Sequence, residues 1–177
     1  MANPAAASRE GGRMTTGKWT QEGVPHRGWA CVDCYDNDGE MQTCQMCEVA
    51  EIRYVHVMQH PDYDAELEVG CICAEHMEED YTQPRERERR VRNEGKRRAR
   101  FLTSSQWLTS ANGNSYIVVR GGWHVVVFQV GAVWSGRITE IDTQRSWPAR
   151  QRYPTEQAAK LGAFQGLSVL RKRRTDA

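Results

Sequence analysis

Seven side chains between residues 31 and 76 fall in close groups with the spacing of soft-metal ligands. Cys31 and Cys34 form one Cys-x-x-Cys pair, Cys44 and Cys47 form a second, and "CICAEH" adds Cys71, Cys73 and His76. Zinc takes four thiolate or imidazole ligands in a tetrahedron, and a Cys-x-x-Cys pair on a tight turn supplies two of them with little strain. Cysteines used only as small buried apolar residues do not call for two such turns. A redox alternative needs an oxidising compartment. The opening "MANPAAASREGGRMTTGKW" has no apolar run of the kind a signal peptide carries, so the expectation is a cytoplasmic protein with reduced thiols and zinc as cofactor. No 18-residue apolar span occurs, so no membrane association is expected. Catalytic signatures are sparse: there is no His-Glu-x-x-His, no Gly-rich phosphate loop and no nucleophile elbow, and "RGGW" and "ANGNS" read as hairpin turns. The chain is expected to bind rather than to catalyse.

The donors need elements to position them. "CVDCYDNDGEMQTC" reads as a cysteine knuckle with an Asn-Asp-Gly turn, and "EIRYVHVMQH" and "AELEVGC" as two strands joined at Pro61, Asp62 and Asp64. "AEHMEEDY" follows as a helical turn or two. These segments make residues 29–82 a zinc-binding module, with the ordered chain starting at Trp29. Residues 1–28, rich in Ala, Gly, Ser and Thr and without periodicity, read as a mobile arm. After Pro84, residues 83–103 read as a basic helix or connector weakened at Asn93 and Gly95.

Residues 104–170 have a different texture. "SYIVVR", "WHVVVFQV" and "VWSGRITEI" are three β-rich runs separated by glycine turns, and "PTEQAAKLGAFQGLSVL" is a helix capped at Thr155. Its spacing offers Ala158, Leu161, Phe164 and Leu167 as a buried face. Residues 171–177 form a basic tail. The fold class expected is therefore α+β: a zinc module, a helical connector, and a three-stranded antiparallel sheet packed on one C-terminal helix.

The order of knuckle, hairpin and helix-start ligands, with "VGCICAEHM" at the helix start, resembles the treble-clef zinc finger. That resemblance implies one zinc on Cys44, Cys47, Cys73 and His76. Cys31, Cys34 and Cys71 then remain; they suit a second site with His26, His56 or His60, or Cys71 joins Cys73 in an all-cysteine site around Cys44 and Cys47. "CQMCEVAEIRYVHVMQHPDY" and "VGCICAEHMEEDY" are also similar to segments of a group of small bacterial and phage-type proteins, over roughly residues 29–130, which implies a shared architecture and no activity. Treble-clef scaffolds include the His-Asn-His nucleases, which implies an alternative with His56 or His60 as base and Asp62 or Asp64 nearby, although the orienting Asn is missing.

Charge is sorted along the chain. Residues 31–80 hold fourteen acidic side chains against one basic, residues 81–100 hold nine basic against three acidic, and residues 101–177 hold ten against four, although the whole chain is only +1. The basic second half, with Arg89, Arg90, Arg92, Lys96, Arg97, Arg98, Arg100, Arg120 and Arg137 as candidate phosphate ligands and several Trp as stacking partners, points to DNA or RNA. A sheet backed by one helix is similar to the ethylene-response and integrase-arm DNA-binding domains at the level of fold alone. The acidic residues 31–80 would repel phosphate and fit a protein partner, or the chain's own basic helix.

Overall fold

The computed structural model describes residues 14–175 and divides the chain into two compact units, Met1–Gly95 and Lys96–Ala177. It is α+β. In the first unit, β1 (Ala30–Asp36), β4 (Tyr54–His60) and β5 (Tyr63–Val69) form an antiparallel sheet in the order β1-β4-β5. β2 (Gln42–Thr43) and β3 (Glu51–Ile52) form a two-residue ladder around the second cysteine pair. α1 (Cys71–Glu78) starts directly after β5, and α2 (Gln83–Leu102) follows it. Asp80 caps α2, accepting the N–H groups of Thr82 (2.7 Å) and Gln83 (3.0 Å), and Pro84 sits in the first turn where its missing N–H costs nothing.

Of the expected N-terminal arm, residues 1–13 lie outside the described residues, and the rest is not an arm. A 3-10 turn at Gly17–Thr20 buries Trp19, and Val24 joins the same core. Lys18 donates its N–H to the Met46 carbonyl (2.8 Å) and Thr16 its hydroxyl to the Cys47 carbonyl (2.8 Å). Gly17, at φ 60°, lies so close to the Cys47 carbonyl that a Cβ would stand 2.8 Å from its oxygen. The ordered chain thus begins before Trp29, because a core this small needs Trp19 as a lid.

The expected connector is also not a separate element. α2 is continuous through Asn93 and Gly95, and its first part belongs to the first unit. Propensity alone disfavours helix at those two residues by about 1 kcal/mol, which side-chain interactions offset. Arg85 pairs with Glu75, Arg87 with Glu78, and the Arg92 guanidinium lies 5.0 Å from the centre of the Tyr54 ring.

In the second unit the sheet has five strands, not three, in the order β10-β9-β8-β7-β6: β6 (Leu108–Thr109), β7 (Ser115–Val119), β8 (Trp123–Val130), β9 (Val133–Glu140) and β10 (Ser146–Pro148). The extra edge strands are two and three residues long, too short to show a period. α3 (Glu156–Thr175) packs on β8 and β9, capped by the Thr155 hydroxyl, which accepts the Ala158 N–H (3.1 Å). Its most buried residues are Ala159, Ala163 and Leu167, so of the expected face Leu167 is buried as its spacing suggests, while Ala158, Leu161 and Phe164 are not its centre. Small residues line this seam: a Cβ on Gly166 would stand 2.9 Å from the Ile138 Cδ1, which would have to turn away to admit it. The helix runs through residues 171–175 of the expected tail; residues 176 and 177 lie outside the described residues.

Candidate metal centre

The β2–β3 hairpin folds Cys44 and Cys47 toward one another. Cys44 donates its N–H to the Ala50 carbonyl (2.8 Å), Glu48 closes the turn onto the Cys44 carbonyl (2.9 Å), and Glu48 takes the left-handed φ of 57° that ends it. Gln45 ties the turn to β5 by two hydrogen bonds with Glu68: it donates its N–H to the Glu68 carbonyl (2.9 Å), and its side-chain oxygen accepts the Glu68 N–H (2.8 Å). The third residue of α1 completes the group. The sulfurs of Cys44, Cys47 and Cys73 lie within 4.8 Å of one another, and all three cysteines are buried.

The electrostatics prepare this pocket for a cation. The neighbouring Cys73, followed by the backbone amides of Cys47, Gly70 and Met46, lowers the Cys44 thiol against the cost of burial. The proximity of Cys44, followed by burial, pushes Cys73 far up. Both thiols must give up their protons to hold a metal, and the amides close to Cys44 favour its charged form. These three thiols can hold a metal ion.

His76 is not among the converging atoms. Its Nδ1 sits 3.4 Å from the Tyr81 hydroxyl, and its ring stands edge-on to Trp19 and Tyr81. His76-Met77-Glu78 does spell a His-x-Glu pattern, but the Glu78 carboxylate is taken by Arg87.

Cys71 and Cys73 are two residues apart on α1, about 200° around the helix, so they face opposite ways. Cys71 therefore meets a different set: its sulfur, a ring nitrogen of His56 on β4 and a carboxylate oxygen of Glu88 on α2 lie within 4.8 Å of one another. Cys34 is the cross-strand partner of His56. Residues three apart on a regular strand face opposite sides, but a bulge at Val32 pairs Cys31 with Met58 and Cys34 with His56, which places both cysteines on one face. Burial first, then neighbouring charge, raises Cys34 and Cys71 to about 12. Of the three histidines considered for a second site, His56 is in this group. His26 packs against Trp19, and His60 packs against Trp29 while its Nδ1 accepts the Asp62 N–H (3.0 Å).

The basic candidates are all exposed. In the first unit Arg92 is engaged with Glu88 and Tyr54 and Arg89 is 4.0 Å from Glu86, while Arg90 borders a hollow beside Cys31 and Cys34. In the second unit Lys96, Arg97, Arg98 and Arg100 stand on α2, Arg120 lends its carbonyl to Arg171 (2.9 Å), and Arg137 lies across from Val126 and Tyr116 on the sheet face opposite the buried Ile117, Val125 and Ile138. Trp123 is a core residue and not a stacking platform.

No family model matches the chain, and no curated protein or solved structure matches it either. Sequence reasoning missed Trp19, Glu75 and Glu88. Trp19 is the one bulky apolar residue in a stretch that otherwise reads as an arm, and Glu88 is one acid hidden in an Arg-Glu alternation.

Proposed function

We propose that the protein is a zinc-stabilised nucleic-acid-binding protein. The Cys44, Cys47 and Cys73 thiolates would hold zinc as a structural ion, which the donor softness and the close amides around Cys44 favour. The sequence of knuckle, β4–β5 hairpin and α1 supports a treble-clef-like reading of this part, with β1 as an added strand. The observation that carries the binding role is a division of labour among the bases. Arg85 and Arg87 are spent on Glu75 and Glu78 of the acidic module, whereas Arg90, Lys96, Arg97 and Arg100 remain exposed and Arg137 stands on a sheet face that α3 does not cover. Polyanion binding is the use that an exposed, predominantly Arg surface serves best.

The test is fluorescence anisotropy of the full-length protein with duplex DNA and with RNA over a series of salt concentrations. Replacing Arg90, Lys96, Arg97 and Arg100 with Ala should weaken binding and flatten the log-log salt slope by roughly 0.9 for each duplex phosphate that is no longer neutralised. Absence of binding to either nucleic acid at low salt, or an unchanged slope in the variant, would overturn the reading.

A further inference from the structure

His56 is the least comfortable side chain in the first unit. It is 0% exposed, and neither Nδ1 nor Nε2 has a hydrogen-bond partner. A buried polar group left unpaired is destabilising, and an imidazole has two such groups. With neither ring nitrogen engaged by the protein, the imidazole has a lone pair to offer a Lewis acid. Around it stand donors from three other elements: Cys71 from α1 and Glu88 from α2, within 4.8 Å, and Cys34 opposite on β1.

We propose that the first unit holds a second divalent metal ion, zinc by its donor set, bound by His56, Cys71, Glu88 and Cys34. The site is independent of the three-cysteine pocket, because α1 turns Cys71 and Cys73 to opposite sides. Nitrogen, sulfur and carboxylate donors suit zinc and discriminate against magnesium and calcium, which take oxygen. The ion would satisfy the imidazole nitrogen that has no hydrogen-bond partner in the protein. A hollow of about 260 Å³ lined by Cys31, Cys34, Arg87 and Arg90 borders the Cys34 side of the group. Its ligands come from β1, β4, α1 and α2, so it would fasten the start of the basic helix to the acidic sheet.

The experiment is native mass spectrometry and elemental analysis of freshly purified full-length protein, followed by cobalt substitution. Two zinc ions per chain are expected. Cys71→Ser and His56→Ala should each retain the ion of the three-cysteine pocket, and Cys44→Ser should retain only the second. The cobalt spectrum of His56→Ala should keep the thiolate charge-transfer bands of the three-cysteine pocket. Where His56→Ala does not fold, Glu88→Gln carries the test. It should keep the fold and release one of the two ions to a chelator at least tenfold faster than wild type. One zinc per wild-type chain, lost in Cys44→Ser and kept in Cys71→Ser, would overturn the second site and leave the first. One zinc kept in Cys44→Ser and lost in Cys71→Ser would overturn the first and leave the second. Two zinc ions retained in both His56→Ala and Cys71→Ser, or unchanged release in Glu88→Gln, would also overturn the proposal.

Discussion

A sulfur that three backbone amides approach is a poor place for a hydroxyl. Ser in place of Cys44 offers a weaker ligand and keeps its proton at neutral pH. Metal binding supplies folding free energy in small zinc folds, so Cys44→Ser or Cys47→Ser should lose one metal ion and markedly lower the melting temperature of the first unit, read by near-ultraviolet circular dichroism, while the unit stays folded at low temperature. Trp19 tests the same site from outside. It covers the core that contains the three sulfurs, is 4% exposed, and its truncation to Ala should cost about 3–5 kcal/mol while accelerating zinc transfer to a chelator. A melting temperature and a release rate equal to wild type would mean that the segment before Trp29 is only an appendage. The spacing made the Cys44–Cys47 pair legible in the sequence, and the helix start added Cys73, but the His76 or Cys71 expected beside it is turned elsewhere. The role of Trp19 was not legible, because a single aromatic residue carries no period.

At the scale of elements, the strongly patterned runs were legible and the short ones were not. β4, β7, β8 and β9 announce themselves by β-branched residues, and the Thr155 cap announces α3. The ladders β2–β3, β6 and β10 are two or three residues long and arise from the tertiary packing around them. The bulge at Val32, which brings Cys31 and Cys34 to one face, is a property of the β1–β4 pairing and has no local signature. The first turn of α3 provides a test of one such tertiary interaction. Glu156 takes hydrogen bonds from Lys160 (2.7 Å) and from the Ser115 hydroxyl on β7 (2.6 Å), which hold its carboxyl below the ordinary 4.5. A depressed folded-state value stabilises the native protein above the ordinary pKa, and that contribution disappears as pH falls through the folded value. Glu156→Gln should therefore lower stability by only about 0.5 kcal/mol at neutral pH, since the pair is partly exposed, and by nothing in strong acid. Denaturant titrations of both proteins across roughly pH 2–7 would read the difference, and a gap that persists at the acid end would assign the effect to lost shape rather than lost charge.

For the whole molecule, the sorting of charge into an acidic segment and basic segments was the plainest message of the sequence, and two outcomes were open for the basic helix: to grip phosphate or to pack on the acidic module. The first unit realises packing for particular residues. The carboxylates of Glu75 and Glu78 are 4% and 12% exposed, and Arg85 and Arg87 are their respective partners. Removing one partner from a nearly buried pair strands the other charge, so Arg87→Ala should lower the stability of the first unit by about 3 kcal/mol. The exposed Arg85 should matter less because solvent screens it, with a cost of about 1 kcal/mol that shrinks with added salt. Neither change should alter the salt slope of nucleic-acid binding, since a guanidinium already committed to a carboxylate has released no counterions from a phosphate. The exposed Arg90, Lys96, Arg97 and Arg100 should behave in the opposite way, their replacement lowering affinity and leaving stability within about 0.5 kcal/mol. Urea titrations and anisotropy on the two sets of variants separate the cases. If Arg87→Ala weakens nucleic-acid binding as much as the exposed set does, with stability intact, the inner arginines themselves bind phosphate and their pairing with the acidic module is a resting arrangement that nucleic acid displaces.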